Sequence, residues 1–338
     1  MGDRVELPQA GDPMALSLNE NPFPPLPAVR AAMVRAARAA NRYPEFLPDE
    51  LRGVIADHLG VEHERIVIGA GATGVIMQVL RALTQPGDRI VMGYPTFDGY
   101  PIFAQIASLI CKTVPLDGNG HHDLVAMADA AADARVVVLC RPHNPSGTLE
   151  SESAVRQFLM RLSRDTIVLL DEAYVEFVAP AHRIDVPSLV DDFPNVIVVR
   201  TFSKAYGLAG IRTGYAYCTP ALARRLWTMQ LPFGSSNISL AAVDASYRAG
   251  RQLEQRISSI IDERTYLRAR LRAMGIRVID SHANFLYLPP GSASADDLFA
   301  ATGVRVRGYA NGGLRITIGT RQSTQAVLTA LQHHGLAS

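Results

Sequence analysis

The stretch Arg65-Ile66-Val67-Ile68-Gly69-Ala70-Gly71-Ala72-Thr73-Gly74 joins a short apolar run to a glycine turn and then to a helical pattern. An unbroken Val/Ile run of this length reads as a strand buried on both faces, and such strands belong to mostly parallel sheets sandwiched between helices. The same alternation continues downstream. Candidate strands are residues 65–68, 89–92, 135–140, 167–170, 196–200 and 214–218, and candidate helices are 74–83, 153–162 and 221–229. Upstream, Pro22, Pro24, Pro25 and Pro27 impose an extended arm before an Ala/Arg helical stretch at 28–40. After about residue 239 the pattern changes to a long, polar, Arg-rich helix running to about 274. Short strands at 277–279, 285–288, 304–307 and 314–318 follow, with short helices between them. The expected architecture is α/β: an N-terminal arm (1–27), a large domain (28–245) with a mostly parallel mixed sheet flanked by helices, and a smaller α+β domain (246–338).

Composition narrows the function. Of 338 residues, 48% are hydrophobic and 19% charged, enough for a sizeable core and too apolar for disorder. The 33 basic residues balance 32 acidic ones without any charge block, which argues against nucleic acid or a membrane surface as partner. No apolar run approaches the roughly 20 residues of a membrane span. Asp3 and Glu6, without an apolar segment, argue against a signal peptide. Cys111, Cys140 and Cys218 fit neither a zinc spacing nor a disulfide framework, so free thiols in a reducing cytoplasm are expected. The pairs His121-His122 and His333-His334 lack the i,i+4 spacing of helical metal ligands, and no metal is expected.

Two phosphate sites compete for the Gly69–Gly74 turn. Its G-x-G-x-x-G spacing is that of a dinucleotide fingerprint, in which glycines admit a phosphate to backbone N–H groups at a helix start. That site also needs an acidic residue about 20 residues on, at the end of the next strand. Here the next strand ends in Met92-Gly93-Tyr94-Pro95, and Asp88 lies at its wrong end. A phosphate cradle without a dinucleotide is the better reading, with a tight structural turn as the alternative.

A second constellation lies at successive strand ends. Asp171 follows 167–170, Asn144 follows the strand ending at Cys140, and Lys204 follows the strand at 196–200. In parallel sheets ligands bind outside the carboxyl ends of strands, so these residues can converge. Lysine is otherwise nearly absent: of the 33 basic residues only Lys112 and Lys204 are lysine. Arginine cannot replace lysine where a neutral amine must attack a carbonyl. An amine, a carboxylate, an amide and a phenol (Tyr174) at one crevice suit pyridoxal phosphate, which needs a lysine at its aldehyde, an acid at its ring nitrogen and a phosphate anchor. Singly, Asp171 reads equally well as a helix cap, Asn144-Pro145 as a turn and Tyr174 as core.

Taken together, the chain resembles the fold-type I pyridoxal-phosphate aminotransferases, and within them the histidinol-phosphate aminotransferase family. The resemblance spans about 16–320. It rests on Leu18-Asn19-Glu20-Asn21-Pro22, Asn41-Arg42-Tyr43-Pro44-Glu45, Asp171-Glu172-Ala173-Tyr174, the stretch from Arg200 through Ser203-Lys204 to Arg212, Ala283-Asn284-Phe285 and Leu314-Arg315-Ile316-Thr317. It implies that Lys204 is joined to the cofactor and later carries the proton, that Asp171 pairs with the ring nitrogen, and that Asn144 and Tyr174 bond the ring oxygen. Gly71, Ala72, Ser203 and Arg212 then hold the phosphate, and Tyr43 reaches it from a second subunit. Phe97 stands where the family usually has a stacking Tyr. Arg315 resembles the carboxylate clamp and Arg307 the second cation used for the phosphate of histidinol phosphate, with Asn21 also at the substrate. Leu231-Pro232-Phe233-Gly234-Ser235-Ser236 is similar to the aromatic branch of the family. The implied activity is a homodimeric, cytoplasmic transaminase passing an amino group from an aromatic donor or histidinol phosphate to 2-oxoglutarate. The alternatives are a lyase of the same family acting on phosphothreonine, and a non-catalytic pyridoxal-phosphate-binding protein.

Overall fold

Strands β1 (Ile66–Gly69), β2 (Arg89–Tyr94), β3 (Ile110–Pro115), β4 (Val136–Cys140), β5 (Ile167–Asp171), β6 (Val196–Thr201) and β7 (Gly214–Tyr217) form one sheet in the order β1-β7-β6-β5-β4-β2-β3. β7 runs antiparallel to both neighbours, and all other adjacent pairs are parallel. Alternate residues of one strand enter different cores. Val137, Leu139, Val168, Leu170, Val196 and Val198 pack on one face, and Val136, Val138, Ile167, Leu169, Ile197 and Val199 on the other. Both faces are dry, which is why these strands read as unbroken apolar runs.

Helices cover each face. On the first lie α1 (Pro27–Ala37), α2 (Asp49–Leu59), α5 (Leu124–Ala130), α6 (Glu152–Arg161), α7 (Val186–Asp192) and α9 (Asn237–Arg248). On the second lie α3 (Gly71–Leu83), α4 (Gly99–Ile106) and α8 (Pro220–Trp227). A separate antiparallel sheet, β8 (Phe285–Leu288), β10 (Leu314–Thr317) and β9 (Arg307–Gly308) in that order, packs with α10 (Gly250–Ala273) and α11 (Arg321–His333). Ala173, Tyr174 and Phe177, just after β5, belong to this second core, so the loop at the strand end is wedged between the two sheets.

The computed structural model describes residue 9 and residues 11–291, 299 and 302–333. The start of the expected arm, with Asp3 and Glu6, the stretch 292–298 and His334 therefore lie outside the described residues. Several boundaries differ from the sequence reading. The single helix expected from 239 to 274 is two, because α9 stops at Arg248 and the chain turns at Ala249 before α10. The strand expected at 277–279 has no ladder, only a bond from Ile279 N to Tyr287 O at 3.1 Å. β3 went unread because it is an edge strand with only Val114 buried, so it lacks the apolar run that marks the others. Among the described residues no helix is long and apolar enough to cross a membrane, and no cluster of three metal-ligating side chains occurs.

Candidate active site

A cavity of about 370 Å³ opens at the carboxyl ends of β2, β4, β5 and β6, roofed by the small sheet. β5 delivers Asp171 to its floor, where the residue is 5% exposed. The Tyr100 hydroxyl donates to one carboxylate oxygen at 2.6 Å, and Ala173 N to the other at 3.0 Å. Both donors are neutral. Burial pushes the Asp171 carboxyl above its ordinary value, opposed by these two hydrogen bonds. The next residue, Glu172, turns away: one of its oxygens accepts from Arg200 Nη2 at 2.7 Å and Nε at 3.0 Å.

Beyond β6 the chain turns on the fully buried Phe202, and Lys204 faces the cavity. Its Nζ donates to the Leu18 carbonyl at 3.0 Å. Burial, with the Arg315 and Arg212 charges, holds the amine down to about 8, against the opposing pull of Glu20 and Asp171. An amine in that range is partly neutral near physiological pH and able to attack a carbonyl.

A hydrogen-bonded chain runs from this floor to the small sheet. The Tyr174 hydroxyl accepts from Asn19 Nδ2 at 3.0 Å and from Asn144 Nδ2 at 3.3 Å, and burial raises its pKa. Asn144 Oδ1 accepts from Arg315 Nη1 at 2.6 Å. Arg315 also donates to the Tyr309 hydroxyl at 3.0 Å and to the Ser17 carbonyl at 2.6 Å, while its buried Nε has no partner among the described residues. A buried donor without an acceptor is costly, so a ligand oxygen belongs there.

At the third corner α3 begins. Ala70, its N-cap, offers no side-chain acceptor, so the first N–H groups are unsatisfied by a cap, and Ala72 and Thr73 line the cavity. Arg212 closes this corner with long bonds of 3.4 Å each to Ser203 Oγ, Ala70 O and Thr73 Oγ1. Gly71 has φ +73°, and a Cβ there would lie 2.5 Å from Arg212 Nη2, so glycine alone leaves the arginine room. Gly71 thus shapes the corner from below; it is not among the lining residues.

Phe97 lines the cavity, its ring edge-to-face with Tyr100 at 5.3 Å. At the mouth, Arg307 Nη2 lies 2.6 Å from Asp98 Oδ2. Two sequence expectations are not brought to the cavity. Asn21 is a clamp behind the lysine loop: its amide donates to Lys204 O at 3.1 Å and Ala205 O at 2.9 Å and accepts from Phe23 N, so both its N–H donors are spent on the loop. The asparagine of this motif that does line the cavity is Asn19, held at φ 54°. Tyr43 stands 82% exposed against Phe233, away from this chain's cavity. Residues missed in the sequence include Thr73, Tyr100, Tyr309 and Asp98. Tyr100 lies in the first turn of α4, and Phe97 precedes that helix, so no helical spacing linked the two; Tyr309 and Asp98 carried no signal either.

The donor set suits pyridoxal phosphate: an amine for the aldehyde, a buried carboxylate with only neutral donors for a protonated ring nitrogen, and a helix start with Ser203, Thr73 and Arg212 for the phosphate.

Residues 11–331 match the family model described as aminotransferase class I and II. The aromatic amino acid aminotransferase of Cutibacterium acnes is 40% identical over 319 residues, 94% of this chain and 91% of that protein. That of Streptomyces coelicolor is 40% identical over 327 residues, 95% of this chain and 91% of that protein. Among solved structures, the histidinol-phosphate aminotransferase of Sinorhizobium meliloti in complex with pyridoxal-5'-phosphate superposes with a TM-score of 0.89 at 30% identity, covering 96% of this chain and 91% of that one.

Proposed function

Because the chain belongs to the class I and II aminotransferases, fold-type I enzymes dependent on pyridoxal 5'-phosphate, we propose that it transfers the amino group of an aromatic amino acid to 2-oxoglutarate and works as a homodimer. The observation that carries the reaction is Lys204, an amine held near 8, in the same cavity as a buried carboxylate whose only donors are neutral. The aromatic donor is supported by the relatives named for it and by the Phe97 and Tyr309 rings beside the cavity.

Bound pyridoxal 5'-phosphate supplies an aldehyde that captures amines and a ring that takes up electron density as a proton leaves the substrate carbon. The chain's own groups do the rest. Asp171 would pair with the ring nitrogen, a positive partner that would offset the effect of burial and keep the carboxylate negative. Lys204 would hold the cofactor through its amine and, once freed, would carry the proton that leaves the substrate carbon. Tyr174, fixed by Asn19 and Asn144, would bond the ring oxygen. The α3 start, Ser203 and Arg212 would hold the phosphate, and Phe97 would stack on the ring. Arg315, with Nε unclaimed, binds the carboxylate common to donor and acceptor. Arg307 meets the far end of the substrate. In a homodimer the exposed Tyr43 serves the other subunit's cofactor. We keep residues 28–245 as the cofactor-binding domain and 246–338 as the smaller one, a division supported by the two separate sheets.

The test is a panel of half-reactions on the purified yellow enzyme. Phenylalanine and tyrosine should bleach the visible band and 2-oxoglutarate should restore it. Faster bleaching by histidinol phosphate would overturn the donor, and carbon dioxide release without need of an oxo acid would make the protein a lyase.

A further inference from the structure

The two arginines that face the substrate end of the cleft are in different electrostatic states. Arg315 is 6% exposed and bonded only to neutral groups: Asn144, Tyr309 and the Ser17 carbonyl. Arg307 has a carboxylate against it, with side-chain exposure of 47% for Arg307 and 53% for Asp98. Asp98 stands at the N-cap of α4, yet its side chain makes no cap bond and is turned to Arg307, 209 positions away on β9. Both residues line the cavity, together with Phe97 and Leu18, and the exposed Glu20 adds a further negative charge to the lining.

We propose that Asp98 sets the charge selectivity of this cleft by holding Arg307 neutralised. The inference rests on the functional reading above, in which one cavity serves an aromatic donor and a dicarboxylic acceptor. A ligand's first carboxylate meets the uncompensated charge of Arg315. An uncharged aromatic side chain then extends toward an ion pair of no net charge, flanked by Phe97 and Tyr309. A second negative group at the same place meets Asp98, and gains Arg307 only by displacing it. The pair is hydrated, and exposed pairs shift equilibria by at most about fivefold, so a dianion is admitted at a disadvantage and not shut out. Asp98 touches no reacting atom in this account; it acts through Arg307.

The experiment uses the pyridoxal-phosphate-loaded enzyme and two ligands that cannot react, glutarate (a dianion) and 3-phenylpropanoate (an aromatic monoanion), titrated to equilibrium by the visible spectrum. Asp98→Asn should raise the affinity for glutarate relative to 3-phenylpropanoate roughly two- to fivefold. Arg307→Gln should lower that ratio, and the double variant should match Arg307→Gln alone. Melting temperatures confirm that each variant is folded. A ratio unchanged in Asp98→Asn overturns the proposal, as does an equal weakening of both ligands, which marks a mere tie between the sheets. So does an Asp98→Asn effect that persists without Arg307. Neither ligand is turned over, so the outcome is independent of which amino donor the half-reactions select.

Discussion

Asp171 and Asp98 stand at opposite ends of one cleft, the first 5% exposed with two neutral hydrogen-bond donors, the second half exposed and paired with an arginine. At the floor, water cannot screen the carboxylate, so its field falls on whatever cation sits opposite. At the mouth, solvent screens both members of the pair, and either is easily traded for another partner. In the proposed reading the same functional group serves chemistry where it is buried and selection where it is wet. Substitutions should grade accordingly from floor to mouth.

The steepest loss belongs to Lys204. Lys204→Ala removes the only amine in reach of a bound aldehyde, and transamination should fall by at least about a thousandfold. Lys204→Arg should fail equally, since a guanidinium keeps its proton. Single-turnover spectra with phenylalanine measure both. Next comes Asp171→Asn, which preserves shape and deletes charge; kcat should drop about 100- to 1000-fold. Its sequence neighbour provides the contrast. Glu172→Gln breaks the buried pair with Arg200 and leaves Arg200 without its carboxylate, costing about 3–5 kcal/mol of folding stability. Urea unfolding should register that loss, whereas Asp171→Asn should act mainly on turnover. If both act on stability alone, the distinction between the two carboxylates collapses.

A smaller effect is expected at Tyr174. Tyr174→Phe strips the acceptor shared by Asn19 and Asn144 and should lower kcat/KM about tenfold. The Lys204 amine also predicts a pH dependence. Held at about 8, it loses its proton well before an ordinary lysine, so attachment of pyridoxal phosphate to the cofactor-free protein should speed up as pH rises to about 8 and then level off. The stability sign follows. The folded state binds fewer protons than the unfolded one between about 8 and the ordinary value near 10.4, so the penalty is complete below 8 and fades as pH climbs through that window. Removing the Arg315 charge with Arg315→Gln should move the inflection upward, which stopped-flow mixing across pH detects. The mildest change is the severalfold shift in ligand ratio for Asp98→Asn at the mouth.

Much of this was legible in the chain itself. Short apolar runs, Val/Ile-rich except at 214–218, identified six of the seven strands of the large sheet, because residues dry on both faces need no polar alternation. Asp171 and Lys204 were visible as polar residues at the ends of such runs, and a lysine in an arginine-dominated chain pointed to an amine that must lose its proton. β3 was not legible, since an exposed edge strand carries no such run. Nor could the motif Asn19-Glu20-Asn21 say which asparagine faces the cavity. That depends on the left-handed backbone at Asn19 and on carbonyls of a loop 183 positions away accepting from Asn21.

Elements and their chemical cargo are local properties, written in periodicity and in which residue types end each run, so the amino-acid order alone determined the layered sheet and the reactive pair at its edge. Partnership is not local. Whether Arg307 meets Asp98, whether Arg315 is left with a free donor, and how much water reaches each charge depend on how the small sheet settles over the large one. Only the folded chain decided those, and with them the difference between a carboxylate buried among neutral donors and one paired with an arginine in solvent.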